Sequence, residues 1–412
     1  MKANSLSVLL LGLGFCLVGV FVSCSSDEPE FRQPTSPEIN LTRSEQLVND
    51  NLNDFGLKLF NAISSDPTIV SSTPNFAVSP VSVAIALAMS ANVCDDDLKS
   101  EVLYALDCEN IEELNVLCRK LMMYLPDPSN KCDISLCNAL WHDNGLAPTA
   151  SCRSAITDYF FGKISSIDFS DSEAAADIIN DWISRSTHNV IEGVVGPADL
   201  LYAEVMLANA LYFKGGWSDP FDKSKTVSRT FHGIGGDRDV DLMCDKRTML
   251  YFACDRFQAV RLSYKGPYEM IAVLPDADTN IDDFCKTFDS SDLTPCIDGF
   301  AQYLVTLSLP KFESEIDVRL DDILQNMGID LYTRLSGIEG ANDDYNLSVK
   351  HVAKVSTDEE GTVAAAVTIV GMDSAPSPGV VREVTLTFDR PFLYLIRNNV
   401  TGSIIMAGRF AK

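Results

Sequence analysis

Residues 358–368 read DEEGTVAAAVT, and this stretch decides how the chain is interpreted. Three acids and a glycine precede a run of small or β-branched residues that carries no charge before Asp373. Alanine favours helix, but Val363, Val367 and the threonines favour strand, and so short a run is marginal as an isolated helix. The stretch therefore predicts a segment that forms a β-strand.

The composition is that of a globular protein with a large core. The 412 residues are 46% hydrophobic and 9% aromatic, and no internal repeat and no linker occur after residue 44. This pattern predicts one domain at 45–412. The formal net charge of -26 argues against binding of nucleic acid or of an anionic membrane through a basic surface.

The N-terminus has the pattern of an export signal. Lys2 precedes an apolar run at 6–22, and a small-residue segment follows. The tetrapeptide FVSC, which ends at Cys24, resembles the lipobox of bacterial lipoproteins, with phenylalanine in place of the usual leucine. This resemblance implies a signal peptide at 1–23 and a lipid attached to Cys24.

The residues after Cys24 predict where the protein is found. The sequence SSDE resembles the acidic signal that sends lipoproteins to the cell surface in some Gram-negative bacteria. We expect an exported outer-membrane lipoprotein at the cell surface, with a periplasm-facing domain as the alternative, and the lipid on Cys24 as its only membrane contact. Residues 24–44 contain three prolines among polar neighbours and predict an extended tether.

Hydrophobic periodicity predicts helices in the first half of the domain and strands in the second. Ser44 is the expected cap of a first helix, and helical patterns continue through 80–126 and around 172–191. Strand-like segments dominate from about residue 203 onward. This order favours an α+β fold with large mixed or antiparallel sheets over a series of βαβ units.

Motifs for catalysis and for metal binding are absent from the sequence. It contains no GxSxG, HExxH, GxGxxG or GxxxxGK[ST] motif, which disfavours an enzyme. The four histidines are far from one another and from cysteines, so we expect no metal site and no cofactor. The ten cysteines other than Cys16 and Cys24 form no CxxC pair, and we expect core thiols, with a few bridges left open.

Several segments resemble a known family in the order in which that family has them. They are NFAVSPVSVAIALAM (75–89), ANALYFKGGW (208–217), LPKFESEIDVRLDDILQNMGI (309–329) and FDRPFLYLIRNNVTGSIIMAGR (388–409). Together with residues 358–368, which resemble the hinge of a reactive-centre loop, they identify the chain as similar to the serpins. The resemblance implies the serpin fold, with an exposed reactive-centre loop at about 359–383.

The resemblance also implies a function and partners. Serpins inhibit serine or cysteine proteases, here of host or bacterial origin, and are monomers that can polymerise. The protease cleaves the loop, and the loop inserts into the main sheet as a new strand while the acyl-enzyme persists. About 12 to 15 inserted residues at roughly 3.3 Å each would move the protease on the order of 40 to 50 Å.

The hinge residues meet the physical requirements of insertion. Side chains alternate between faces in a strand, so Thr362, Ala364 and Ala366 share one face, and all three are small. No charge occurs between 361 and 372, and Gly361 supplies a pivot. These features favour an inhibitor over a non-inhibitory binding or structural serpin. The hinge consists of Glu359, Glu360, Gly361, Thr362, Val363, Ala364, Ala365 and Ala366.

The resemblance assigns two groups of supporting residues. One group, the shutter, is a polar cluster under the sheet that controls its opening, and the other, the breach, lies where insertion starts. We expect an ion pair between Lys311 and Glu359 in the breach. The shutter residues are Ser79, Ser82, Asn209 and His351, and the breach residues are Trp217, Lys311 and Glu359.

The resemblance also implies the position of the scissile bond. Counting 17 residues as in the family, with Glu359 as the first, places Ala375 before the cut. Proteases rarely cut before a proline, and Pro376 follows Ala375, so Ser374–Ala375 is the first choice and Met372–Asp373 the alternative. No lysine or arginine occurs in the loop before Arg382. The loop therefore predicts an elastase-, subtilisin- or cathepsin-G-like target rather than a trypsin-like one.

Overall fold

The computed structural model describes residues 33–201, 203–341, 344–347, 349–362 and 382–412. The folded unit comprises Thr35–Lys412. The expected signal peptide, Cys24 and the loop at 363–381 lie outside the described residues. Within those residues, no helix is both long and apolar enough to cross a membrane.

The folded unit begins earlier than the expected residue 45. The Ser36 N–H donates to the Met123 carbonyl (2.9 Å), and Lys120 Nζ donates to the Asn40 carbonyl (3.0 Å). The segment around Ser36 and Asn40, which its composition predicts to be part of the tether, therefore contacts the domain. Composition does not distinguish the two cases, because prolines and polar residues also suit packed, irregular segments.

Helices are concentrated in the first half of the described chain, as predicted. The expected cap of the first helix was wrong, because Thr42 accepts from the Glu45 N–H (3.2 Å) and Glu45 Oε2 accepts from the Thr42 N–H (2.7 Å). This reciprocal capping box places Ser44 inside the first turn. The helices are α1 (Arg43–Ser65), α2 (Pro67–Ser72), α3 (Pro80–Val93), α4 (Asp96–Ala105), α5 (Ile111–Tyr124), α6 (Ala150–Asp158), α7 (Ser172–Ser186), α8 (Ile281–Thr287), α9 (Ser290–Gly299) and α10 (Asp321–Asn326).

Strands dominate the second half. They are β1 (Phe76–Val78), β2 (Asp133–Asp143), β3 (Ala147–Pro148), β4 (Lys163–Ile167), β5 (Val205–Gly216), β6 (Val227–Gly233), β7 (Gly236–Ala253), β8 (Phe257–Ser263), β9 (Tyr268–Pro275), β10 (Ala301–Pro310), β11 (Phe312–Arg319), β12 (Tyr332–Arg334), β13 (Ile338–Glu339), β14 (Asp344–Asn346), β15 (Lys350–Thr357), β16 (Gly361–Thr362), β17 (Glu383–Thr387), β18 (Phe392–Asn398) and β19 (Ile404–Phe410). Helices and strands of these lengths confirm the α+β prediction.

Two large sheets organise the domain. A nine-stranded sheet has the order β1-β19-β18-β9-β8-β7-β10-β17, with β6 paired to β7. Its strands are antiparallel except for β17, which runs parallel to β10. A six-stranded sheet has the order β11-β15-β16-β5-β2-β4. The short strand β16 is thus the only described link between β15 and β5 in that order.

The core lies between the sheets and the helices packed on them. Helix α3 is buried on nearly all sides, which its uniformly apolar and small sequence permits, and it packs beneath β5. The ten cysteines of the described residues are free thiols, and most are buried. This agrees with the expectation of core thiols.

Candidate functional site: the opening between β5 and β15

The site begins where β15 ends and the chain turns back. The Asp358 N–H donates to the Gly361 carbonyl (2.8 Å), which closes a tight turn, and Thr362 then pairs with Thr357 of β15. Gly361 has a φ of +153°, and a Cβ there would lie 2.2 Å from the Gly215 carbonyl oxygen. Only glycine fits this turn without strain or a clash with backbone.

On its other side, the turn is bonded to the end of β5. Gly361 and Thr362 pair antiparallel with Gly216 and Gly215. The Trp217 N–H extends this contact by donating to the Glu360 carbonyl (2.8 Å). The first residues of the expected loop are therefore held as a strand between β15 and β5.

The three breach residues lie together at this end of the sheet. Lys311 Nζ is 2.9 Å from Glu359 Oε1, and the Thr226 hydroxyl donates to the same oxygen (2.7 Å). Glu359 is only 3% exposed. Burial opposes ionisation of this carboxyl, but the hydrogen bonds from Thr226 and Lys311 outweigh burial and hold its pKa below the ordinary value. Trp217 Nε1 donates to the Asp358 carbonyl (2.9 Å) and so fixes the turn.

Two aromatic rings support the turn from below. Tyr264, which follows β8, stacks on Trp217 with ring centroids 4.4 Å apart. Its hydroxyl is 2.6 Å from Thr362 Oγ1, in a fully buried position. Sequence reasoning missed Tyr264 and Thr226, because neither belongs to the segments that carry the resemblance.

The four shutter residues form a connected polar chain. The Ser79 N–H donates to His351 Nε2 (3.1 Å), and the Ser82 N–H donates to Ser79 Oγ (3.3 Å). The Ser82 hydroxyl donates to Asn209 Oδ1, which links α3 to β5. His351 is buried, and burial lowers its pKa to about 4, so that its imidazole is neutral at pH 7 and can accept from Ser79.

Asn138 extends this chain and was missed in the sequence. Asn209 Nδ2 donates to Asn138 Oδ1 (2.7 Å), and Asn138 Nδ2 donates to the Phe160 carbonyl (2.8 Å). The two asparagines face each other because β2 and β5 pair in a register that sets Asn138 opposite Asn209. The sequence of one strand does not indicate how it is aligned with its neighbour, so this pairing could not be predicted.

A cavity of about 530 Å³ lies beside this polar chain. Its walls include Leu207 and Asn209 of β5 and His351 of β15, and Ser82 of α3 contributes from below. Among the described residues, no ladder joins β5 directly to β15. The two strands are therefore separated along a path that starts at β16 and continues past the shutter residues.

Several predicted residues cannot be located. Val363, Ala364, Ala365 and Ala366 of the hinge and both candidate scissile bonds, Ser374–Ala375 and Met372–Asp373, lie outside the described residues. In the described part of the chain, no group of three histidine, cysteine, aspartate or glutamate side chains could hold a metal ion.

Comparison with known families now decides the identity of the chain. A profile described as "Serpin (serine protease inhibitor)" matches residues 50–412. The chain belongs to the serpin family. The bovine serpin A3-7 is 30% identical over 413 residues, which cover 97% of this chain and 96% of the bovine protein. Serpins of this kind inhibit proteases and are not enzymes themselves.

Solved serpin structures agree with the fold. Tengpin, a thermophilic serpin in its native state, superimposes with a TM-score of 0.78 at 26% identity, covering 92% of this serpin and 98% of tengpin. Human thyroxine-binding globulin superimposes equally well (TM-score 0.78) at 23% identity, covering 90% and 99% of the two chains. The second likeness concerns the fold alone.

Proposed function

We propose that this serpin inhibits a serine or cysteine protease as a suicide substrate. The protease cleaves the reactive-centre loop, and the loop inserts between β15 and β5 while the acyl-enzyme persists. The observation that carries this proposal is β16: Gly361 and Thr362 of the hinge already pair with β5, and Thr362 also pairs with β15, so the hinge lies between the strands that must part. The cavity further along the same path supports it, because residues of both β5 and β15 line this cavity where the new strand would enter.

The proposed target cleaves after a small or apolar residue. Ser374–Ala375 is the proposed scissile bond, with Met372–Asp373 as the alternative, and elastase-, subtilisin- or cathepsin-G-like proteases fit both. Mass spectrometry of the C-terminal fragment that elastase releases tests this directly. A fragment that begins at Ala375 is expected, whereas one that begins at Glu383 would contradict the proposed bond.

Trapping is tested by the formation of a complex that survives SDS. The serpin is incubated with elastase, subtilisin and cathepsin G, and a covalent band of the summed mass is expected. The alternation of side chains along the inserted strand allows a matched pair of variants to be made. Ala364→Arg places a charge on the face shared with buried Thr362 and should abolish the complex, whereas Ala365→Arg points to the opposite face and should retain it.

The second candidate is a serpin that binds a ligand without trapping proteases. Thyroxine-binding globulin, whose name describes ligand binding, shares the fold. This function predicts loop cleavage without a stable complex, for the wild type and for both arginine variants alike. The segment 361–372 favours inhibition, because it lacks the charged and proline residues that usually block insertion in non-inhibitory serpins.

We also propose that the protein is an outer-membrane lipoprotein that faces the cell surface. The export signal, the FVSC tetrapeptide and the acidic residues after Cys24 support this. Cells fed radiolabelled palmitate should label the wild type and not Cys24→Ser. Added protease should then degrade the protein on intact cells, whereas a periplasm-facing domain would be degraded only after the outer membrane is opened.

The breach and shutter groups are proposed to control opening of the six-stranded sheet. The ion pair between partly exposed Lys311 and buried Glu359 joins the top of the sheet to the turn. The polar chain from His351 to Asn138 joins β15, α3, β5 and β2. Loss of either group should let the loop of one molecule enter the sheet of another. Native gels that follow Glu359→Lys at elevated temperature should therefore show a ladder of polymers sooner than for the wild type.

A further inference from the structure

The hydroxyl of Tyr264 forms a buried hydrogen bond with the hinge. Tyr264 is fully buried, and among the described residues its hydroxyl is within hydrogen-bond distance of Thr362 Oγ1 alone (2.6 Å). Thr362 Oγ1 is also 3.2 Å from Thr357 Oγ1. Three hydroxyl groups, from the turn after β8, from β15 and from β16, therefore meet at one buried point.

This hydroxyl cluster depends on the hinge being seated in the sheet. Thr362 is 1% exposed as part of β16. If the hinge left the sheet, the Tyr264 hydroxyl would remain buried without its partner, which is costly for a polar group. Burial raises the pKa of Tyr264 well above its ordinary value, so the phenol keeps its proton and can donate.

The ring of Tyr264 is fixed independently of its hydroxyl. It stacks on Trp217 with an interplanar angle of 11°, and it meets the edge of Phe213 at 5.3 Å. Gly215 leaves room for it, since a Cβ there would lie 2.9 Å from Tyr264 Cδ1. The hydroxyl is thus presented to Thr362 by a rigid support.

We infer that Tyr264 is a positioning residue for loop insertion, whose hydroxyl seats Thr362 as the first inserted residue and so commits the cleaved loop to enter the sheet. The inference rests on the proposed inhibitory function. After cleavage, the acyl-enzyme either is hydrolysed or is trapped by insertion. A hinge that is already seated starts insertion without delay, so trapping competes better with hydrolysis.

The test is Tyr264→Phe, which removes the hydroxyl and keeps the ring. The ratio of hydrolysed to trapped protease complexes is measured by titrating the protease with each variant. Loss of one buried hydrogen bond should raise this ratio about fivefold. Thr362→Val should have the same effect, and Thr362→Ser, which keeps the hydroxyl, should not.

Tyr268→Phe provides a matched control. Tyr268 is also fully buried, also meets the edge of Phe213 (5.6 Å), and its hydroxyl donates to the Leu125 carbonyl (2.7 Å), away from the hinge. Tyr268→Phe should lower the melting temperature about as much as Tyr264→Phe does, and it should leave the ratio of hydrolysed to trapped protease complexes unchanged. The double variant Tyr264→Phe with Thr362→Val should be no worse than Thr362→Val alone, because the threonine change already removes the bond to Tyr264 together with the contact to Thr357.

Hydrogen exchange separates this inference from the proposed function. The amides of Gly361 and Thr362 should exchange about fivefold faster in Tyr264→Phe than in the wild type, with no protease present. If the wild type traps no protease, the proposed function fails, and exchange still decides whether Tyr264 seats the hinge. An unchanged exchange rate and ratio in Tyr264→Phe, or an equal increase in Tyr268→Phe, would overturn the inference.

Discussion

Acid should open the sheet through His351. The imidazole accepts the Ser79 N–H at Nε2 (3.1 Å) and is buried, with a pKa lowered to about 4. A protonated imidazole carries hydrogen on both nitrogens, so it cannot accept this bond, and its charge would be buried. The pKa of His351 in the folded state lies below the value of about 6.5 in the unfolded chain. The contribution of neutral His351 to the free energy of unfolding is therefore fully present above pH 6.5 and is lost as the pH falls towards 4.

The size of the effect follows from the two pKa values. Each pH unit between them corresponds to ~1.4 kcal/mol, so protonation of His351 should remove about 3 kcal/mol of unfolding free energy by pH 4. Urea unfolding followed by circular dichroism between pH 7 and pH 4 measures it. His351→Gln is the comparison, since its amide oxygen can accept from Ser79 without titrating.

Other titrating groups destabilise the wild type and His351→Gln equally in acid, so their effect cancels when the losses of unfolding free energy of the two proteins are compared. We expect the wild type to lose about 3 kcal/mol more than His351→Gln over this range. Polymers on native gels should also appear sooner for the wild type at pH 5. Equal losses in the two proteins would refute the assignment of His351 as the acid-sensitive group of the sheet.

Three further changes have defined outcomes. Gly361→Ala directs a methyl group against the Gly215 carbonyl, so the SDS-stable complex should give way to cleaved serpin on gels. Lys311→Gln leaves the buried Glu359 carboxylate without its cation and should lower the free energy of unfolding by about 1 to 3 kcal/mol in urea titrations, with Glu359→Gln showing a smaller loss because Lys311 is partly exposed and water can solvate its charge. Among the described cysteines, Cys254 is the one classed as exposed, so a thiol reagent should label the folded protein fastest there and Cys254→Ser should remove that fast phase.

Much of the site was predictable because its residues lie in contiguous segments with characteristic spacing. Trp217 ends a ten-residue motif, and Glu359 and Gly361 lie in the stretch that first indicated a strand. The absence of charge between residues 361 and 372 reflects a physical requirement, because the loop must enter the interior of a sheet, and the sequence alone shows that this requirement is met.

The residues that escaped prediction are held by contacts between distant parts of the chain. Asn138 reaches Asn209 only through the register of β2 on β5, and Tyr264 reaches Thr362 from the turn after β8. Neither contact leaves a local pattern. The cap of α1 differs from these contacts, because it has a local pattern: T-x-x-E beginning at Thr42 is typical of a capping box and is a stronger cap signal than Ser44 alone.

The position of the last strands has a consequence for the cleaved molecule. A cut anywhere between 363 and 381 leaves a C-terminal piece that contains β17, β18 and β19. Strand β18 lies between β9 and β19 in the middle of the nine-stranded sheet, and β19 is buried along its whole length. The cleaved serpin is therefore an obligate heterodimer whose subunit interface is its own hydrophobic core, and it should stay one particle until a denaturant separates its two chains.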